Sequence, residues 1–312
     1  MSAARGVLCS AVLLSTSPVL AAERDPLTLA FFAPTAPLAS GEARFAYVGR
    51  LARQLQGAGI PAQARAFARA ADLESAIRRG QVDLGIIDAV YLAERGASFP
   101  LLASATVGGE ATVRWGLYTS LPAPAAGQPR GVMGLAQTRV AYATVGGRDL
   151  DFLDNVLFDG ELRVGQHFTM RPPTPDVAAA VSDVVLRRAD CVFAPEAAVV
   201  GKGLRRAFDA GRVPTPALAV LRPGLPKDLL SQVQKVLLAT VTMGTLDGFR
   251  AVSPELYRNL RAQIRARPQR RLVMAEPQPL LTAVRSAFLV HDEPPPVLPP
   301  LQGLLAAPTA VP

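Results

Sequence analysis

The sequence predicts an α/β protein of two lobes, each a mostly parallel sheet flanked by helices. Three observations carry this. A strand–helix–strand–helix–strand order runs from Leu27 to Glu94. The same order restarts at Arg139, after a linker rich in proline and glycine at Pro122–Gly131. A late apolar segment, Ala217–Leu221, then returns the chain to the first lobe.

The elements follow in order. Leu27–Ala33 is a short apolar run ending at a proline turn, which suits a buried strand. Ser40–Gly57 places Phe45, Val48, Leu51, Ala52 and Leu55 on one helical face, with Arg44, Arg50, Arg53 and Gln54 largely elsewhere. Ile60–Ala68 is a second strand. Asp72–Arg79 is a short helix closed by Gly80, and its last-turn arginines oppose the negative end of the dipole. Val82–Ile87 is a third strand, running into a helix at Ala89–Glu94; Leu101–Val107 and Val113–Thr119 continue as strands.

In the second half Arg139–Thr144 and His167–Arg171 are strands separated by a helix at Leu150–Phe158. Thr174-Pro175-Asp176 reads as a helix start, with the threonine hydroxyl as cap, proline at the first helical position and an early acid. Val177, Val181, Val184 and Val185 form the stripe of that helix. Asp190–Ala194 is a strand and Glu196–Val200 begins a helix. Pro226–Val241 is strongly amphipathic through Leu229, Leu230, Val233, Val236 and Leu237, and Thr245–Arg267 is helical, restarting at Ser253-Pro254-Glu255. Segments Leu272–Ala275 and Leu280–Phe288 are expected on the first lobe. The expected boundaries are 22–118 and 214–291 for lobe 1, 119–213 for lobe 2, and a proline-rich flexible tail at 292–312.

Composition narrows the function. The chain has 312 residues, half of them hydrophobic, so it can bury a large core. Its formal charge is +8, but all except three of the 33 basic residues are Arg, spread along the chain, and aromatic residues make up only 6%. That distribution lacks the basic stripe and stacking platforms of a nucleic-acid binder. Two cysteines and two histidines, His167 and His291, leave little material for a metal site or a disulfide scaffold, and no cofactor is expected. Residues 1–21 combine Arg5, an apolar run at Gly6–Leu20 and small residues before Ala22, the pattern of a secretory signal peptide cleaved near Ala21. Cleavage leaves Cys191 alone in a periplasmic or secreted chain, expected to be a monomer.

The segment Leu73-Glu74-Ser75-Ala76-Ile77-Arg78-Arg79-Gly80-Gln81-Val82-Asp83-Leu84-Gly85-Ile86-Ile87, with Tyr91 soon after, and the return segment Arg222-Pro223-Gly224-Leu225-Pro226 carry a family likeness. Over about Leu27–Val241 the chain resembles the type 2 periplasmic substrate-binding proteins of ABC transporters, in particular the phosphonate and phosphate-analogue branch. The resemblance implies two lobes joined by two crossing strands, near Thr119 and Pro214, a small ligand held between the lobes, hinge closure around it, and a membrane permease or receptor as partner.

The expected ligand-binding residues lie on turns where strands pass into helices, because helix starts present unpaired N–H groups and positive partial charge. Thr35 and Ser40 follow the first strand, and Asp88 and Tyr91 follow the third. Thr144, Gly146, Gly147 and Arg148 form the matching turn of the second lobe, where the glycines permit close backbone approach and Arg148 can pair with a carboxylate or phosphoryl group. Thr174 and Glu196 complete the set; Asp88 and Glu196 facing Arg148 across one crevice suit a zwitterion. Two other readings stay open: a ligand-sensing or scaffold protein that docks on a membrane receptor, and an enzyme with Cys191 as nucleophile, although that thiol lies in an apolar strand with no base in motif relation to it.

Overall fold

A computed structural model describes residues 25–95, 98–126, 131–241 and 244–266. The signal segment, residues 272–275 and 280–288, and the proline-rich tail lie outside the described residues. Through the first half the chain forms β1 (Leu27–Phe32), α1 (Gly41–Gly57), β2 (Ala62–Ala66), α2 (Ala70–Arg78), β3 (Leu84–Ile87), α3 (Ala89–Glu94), β4 (Leu101–Thr106) and β5 (Thr112–Thr119). There follow β6 (Arg139–Ala141), α4 (Asp149–Asp151) running into a π-helical turn at Phe152–Leu157, α5 (Val164–His167), β7 (Thr169–Met170), α6 (Val177–Val185), β8 (Cys191–Pro195) and α7 (Glu196–Val199). The chain continues through β9 (Arg205–Pro214), β10 (Ala217–Val220), α8 (Lys227–Leu238), β11 (Gly248–Ala251) and α9 (Pro254–Arg265). Among the described residues no helix is long and apolar enough to cross a membrane.

The strands form two sheets, ordered β2-β1-β3-β10-β4-β11 and β7-β6-β8-β5-β9. Each lobe repeats one plan: its second, first and third strands, then a strand that has crossed from the other lobe, then its fourth. The crossing strands are β10 in the first sheet and β5 in the second. β1 pairs parallel with β2 and β3, and β6 pairs parallel with β7 and β8. Each crossing strand lies antiparallel to both its neighbours, so the sheets are parallel on one side and antiparallel on the other. The change of sheet falls between Thr106 and Thr112 and again at Thr215–Pro216. Val113–Thr119 therefore hydrogen-bonds within the second sheet, and the first crossing comes earlier than Thr119, because β5 lies between β8 and β9 and pairs with both.

Strand alternation divides the core. Leu29 and Phe31 of β1 face α1 and α8, together with Leu51, Leu55, Val233 and Leu237. Ala30 and Phe32 face the opposite way, into an apolar cluster that continues through Tyr91, Tyr257 and Leu260 into the second lobe at Leu117, Val140 and Phe193. Helix α9 bridges the lobes. Tyr257 Oη donates to the Thr215 carbonyl at the second crossing (3.0 Å) and lies 2.9 Å from Ser104 Oγ of β4. At the other end of α9, Asn155 of the π-helical turn donates to the carbonyls of Ile264 (3.2 Å) and Ala266 (3.0 Å).

Several elements differ from the sequence expectation. β9 is a ten-residue edge strand that charged side chains, Gly211 and two register shifts conceal from any alternating pattern. The segment expected as helix from Thr245 instead forms β11 before α9 begins with Pro254 in its first turn. His167 closes α5, ahead of β7, and its Nε2 lies 2.9 Å from the Val132 carbonyl. Phe45, expected inward, is exposed, whereas Arg44 is buried.

Candidate functional site

In both sheets the strand order reverses between the first and third strands, and the chain leaves their C-terminal ends in turns that open helices. Such switch points are where α/β sheets receive ligands. Here a polar seam joins the loop after β1 and the C-terminal end of α3, the helix that opens at the β3 turn, to the turns after β6 and β7.

On the first-lobe side Asp88 is fully buried at the end of β3. Its Oδ1 accepts the Val90 N–H (2.9 Å) and thereby caps α3, a role its residue type favours. Its Oδ2 accepts the Thr35 N–H (3.0 Å) and hydroxyl (2.6 Å), which fixes the loop after β1. Burial pushes the Asp88 carboxyl above the ordinary value; the Thr35 and Val90 hydrogen bonds oppose this and the charge of Asp149 adds to it. On the second-lobe side Asp149 folds the 144–149 turn around itself, accepting from Thr144 Oγ1 (2.8 Å) and the Val145 N–H (2.7 Å).

The lobes touch directly across the seam. Arg95 of the first lobe donates to the Gly146 carbonyl (2.9 Å), and the Arg148 N–H donates to Glu94 Oε1 (3.2 Å). The Val177 N–H at the start of α6 donates to the Pro34 carbonyl (2.9 Å). Arg44 of α1 forms an ion pair with Asp176. Gly146 has φ +146°, and a Cβ there would lie 3.1 Å from the Ala70 Cβ, so the close approach of the lobes requires glycine. Partial burial, with the charge of Asp149, pushes the Glu94 carboxyl up to about 7.

Of the expected site residues, Thr35, Asp88, Thr144, Gly146, Gly147, Arg148 and Thr174 come together at this seam. Their roles differ from the expectation in detail. Arg148 directs its guanidinium to Asp151 (2.9 Å). Thr174 does not cap a helix: its hydroxyl donates to the carbonyls of Tyr142 and Asp176, while Asp176 caps α6 by accepting the Ala179 N–H (2.8 Å). Ser40 is exposed and caps α1 by accepting from Ala43 (3.1 Å). Tyr91 is buried, its ring edge-on to Phe32 at 5.4 Å and close to Gly146, and burial pushes its hydroxyl up to about 12. Glu196 is half-exposed and pairs with Arg206 of edge strand β9 (3.7 Å), rather than with Asp88 or Arg148. Cys191 is buried, 3.5 Å from the Thr138 hydroxyl, and burial raises its thiol, which opposes thiolate formation.

Sequence reasoning missed Arg44, Glu94 and Asp176. A signal for Arg44 was present: residues 44, 48, 51 and 55 share one helical stripe, so this arginine falls in register with Val48, Leu51 and Leu55.

No family profile and no curated protein matches the chain. Solved structures do. The PhnD1 protein of Prochlorococcus marinus in complex with methylphosphonate superimposes with TM-score 0.59 at 9% identity, over 75% of this chain and 95% of that one. A binding-protein component of an ABC phosphonate transporter from Pseudomonas aeruginosa gives 0.58 at 12%, over 85% and 96%. A Xanthomonas citri protein bound to ATP gives 0.54 at 15%, over 76% and 96%. The chain shares the two-lobed, periplasmic-binding-protein-like α/β fold of these structures.

Proposed function

We propose that this chain is an exported solute-binding protein that holds a small polar or anionic ligand, phosphonate-like or zwitterionic, between its lobes and delivers it to an ABC permease. The observation that carries the reading is the meeting of two switch points in one seam, Thr35 and Asp88 on one side and Thr144–Asp149 with Thr174 on the other. Two similarly folded structures support it: a phosphonate-transporter binding component and a protein in complex with methylphosphonate. A ligand touching both lobes binds the closed arrangement better than the open one, and that difference drives closure. The signal-peptide pattern of residues 1–21 supports export, and outside the cytoplasm a permease would collect the ligand.

A thermal-shift screen of the exported chain against inorganic phosphate, methylphosphonate, sulfonates and amino acids tests this. A ligand at a hundred times its Kd adds about 2.7 kcal/mol, which raises Tm by about 5–10 °C for a protein of this size. One observation favours a second reading: Asp88, Asp149, Arg95 and Arg148 all have partners within the chain, as in a seam built to be permanently shut. A screen in which no class of compound moves Tm supports that scaffold role and refutes solute binding.

A further inference from the structure

We propose that Arg44 anchors the acidic group of the ligand, and that Asp176 occupies this anchor in the unliganded protein, so that capture exchanges one carboxylate for another oxyanion. The inference rests on the solute-binding reading and assigns that site its charge anchor.

Arg44 stands in the first turn of α1, yet only 5% of it is exposed, and it faces the opposite lobe. Its ion pair is one-sided. Asp176 commits Oδ1 to capping α6 through the Ala179 N–H, which leaves only Oδ2 for Nη2 of the guanidinium. Guanidinium–carboxylate pairs commonly form two parallel hydrogen bonds along one edge. Here the second donor of that edge, Arg44 Nε, is fully buried and makes no hydrogen bond among the described residues. A buried charged donor without an acceptor is costly, and a ligand with two oxygens can satisfy both positions at once.

The surroundings select the same chemistry. The starts of α1 and α6, one from each lobe, meet through the Arg44–Asp176 pair, with the Val177 N–H on the Pro34 carbonyl of the loop after β1 holding the lobes together nearby, and both helix starts bring positive partial charge. Arg44 has only donors to offer. A carboxylate, phosphonate or phosphate fits this edge, whereas an ammonium does not. Asp176 Oδ2 would repel such a group if it stayed in place, so capture turns Oδ2 of this 15% exposed side chain away from Arg44 while Oδ1 stays on the Ala179 N–H. The ligand then replaces an internal counter-ion, and its affinity is set by competition with that counter-ion.

The test is isothermal titration of the exported chain and its D176N, R44Q and R44K variants with inorganic phosphate, methylphosphonate and acetate. Asn caps a helix as well as Asp, so D176N keeps the start of α6 while removing the competing charge. The expected result is at least tenfold tighter binding of the preferred oxyanion by D176N. R44Q weakens it at least tenfold, and R44K falls between, since it keeps the charge without the fork. Equal or weaker binding by D176N, with the wild type binding normally, overturns the exchange and leaves solute binding intact. No response to these three anions, from a wild type whose Tm is raised by a cationic or neutral compound, does the same. No response in wild type or D176N, either to these anions or to any compound in the thermal-shift screen, refutes the solute-binding reading and this inference with it. If R44Q fails to fold, as judged by circular dichroism, the D176N result decides alone.

Discussion

Replacing Gly146 by alanine separates the contribution of lobe contact from that of local strain. The adjacent Gly147 serves as control, because the two residues have nearly the same backbone, φ +146° and +147°, and alanine is strained at either. That strain costs about 1–2 kcal/mol. The neighbours differ. A Cβ on residue 146 meets the Ala70 Cβ of α2 at 3.1 Å, which cannot yield without moving a helix of the other lobe. A Cβ on residue 147 meets the far ends of two flexible side chains, Arg95 at 3.3 Å and Glu94 at 3.9 Å, which can rotate away. Overpacking adds about 1 kcal/mol or more to G146A alone. At about 2–4 °C per kcal/mol, G147A should melt about 2–8 °C below wild type and G146A about 4–12 °C below it. Small-angle scattering should show a larger radius of gyration for G146A, as the lobes part, and none for G147A. Equal melting losses with unchanged scattering in both variants would mean that the seam is not a close lobe-to-lobe contact, and the reasoning fails.

Three further outcomes are expected. Glu94 keeps its proton in the folded chain at pH values where the unfolded chain has lost it, so stability falls as pH rises from about 4.5 to about 7. Discounted for its partial exposure, the effect is about 1 kcal/mol. Asp88 acts in the same direction; E94Q should flatten the slope in denaturant titrations at pH 5 and pH 7.5, and an unchanged slope refutes the assignment. Y257F removes the hydroxyl that joins α9 to Ser104 and to the Thr215 carbonyl, and should cost about 1–3 kcal/mol by chemical denaturation, with wild-type stability as the contrary result. Cys191 should resist iodoacetamide in the native chain and react fully in denaturant; rapid native labelling followed by mass spectrometry would contradict its burial.

Much of the fold was legible because buried parallel strands are short apolar runs with a helix after each. Leu27–Phe32, Leu84–Ile87 and Cys191–Pro195 announce themselves in that way, and their helices have caps at Ser40 and Asp88. Edge strands have no such signature. β9 reads as a charged loop because only one of its neighbours, β5, imposes a pattern on it, and β11 is four residues long. The seam was half legible for a related reason. Turns after strands can be located from the sequence, which found Thr35, Asp88 and Thr144–Arg148. Which turn reaches across to the other lobe depends on how the lobes pack. Glu196 lies on an equivalent turn yet points along its own sheet to Arg206, while Arg44, hidden in an apolar stripe, reaches Asp176.

Hydrogen–deuterium exchange on the exported chain, with and without whichever screened compound raises Tm most, tests the binding claim most directly. Solute capture between the lobes predicts slower exchange confined to residues 34–44, 88–95, 144–149 and 174–180, on both sides of the seam together. Protection on one lobe only, or none at the seam despite a raised Tm, would contradict it.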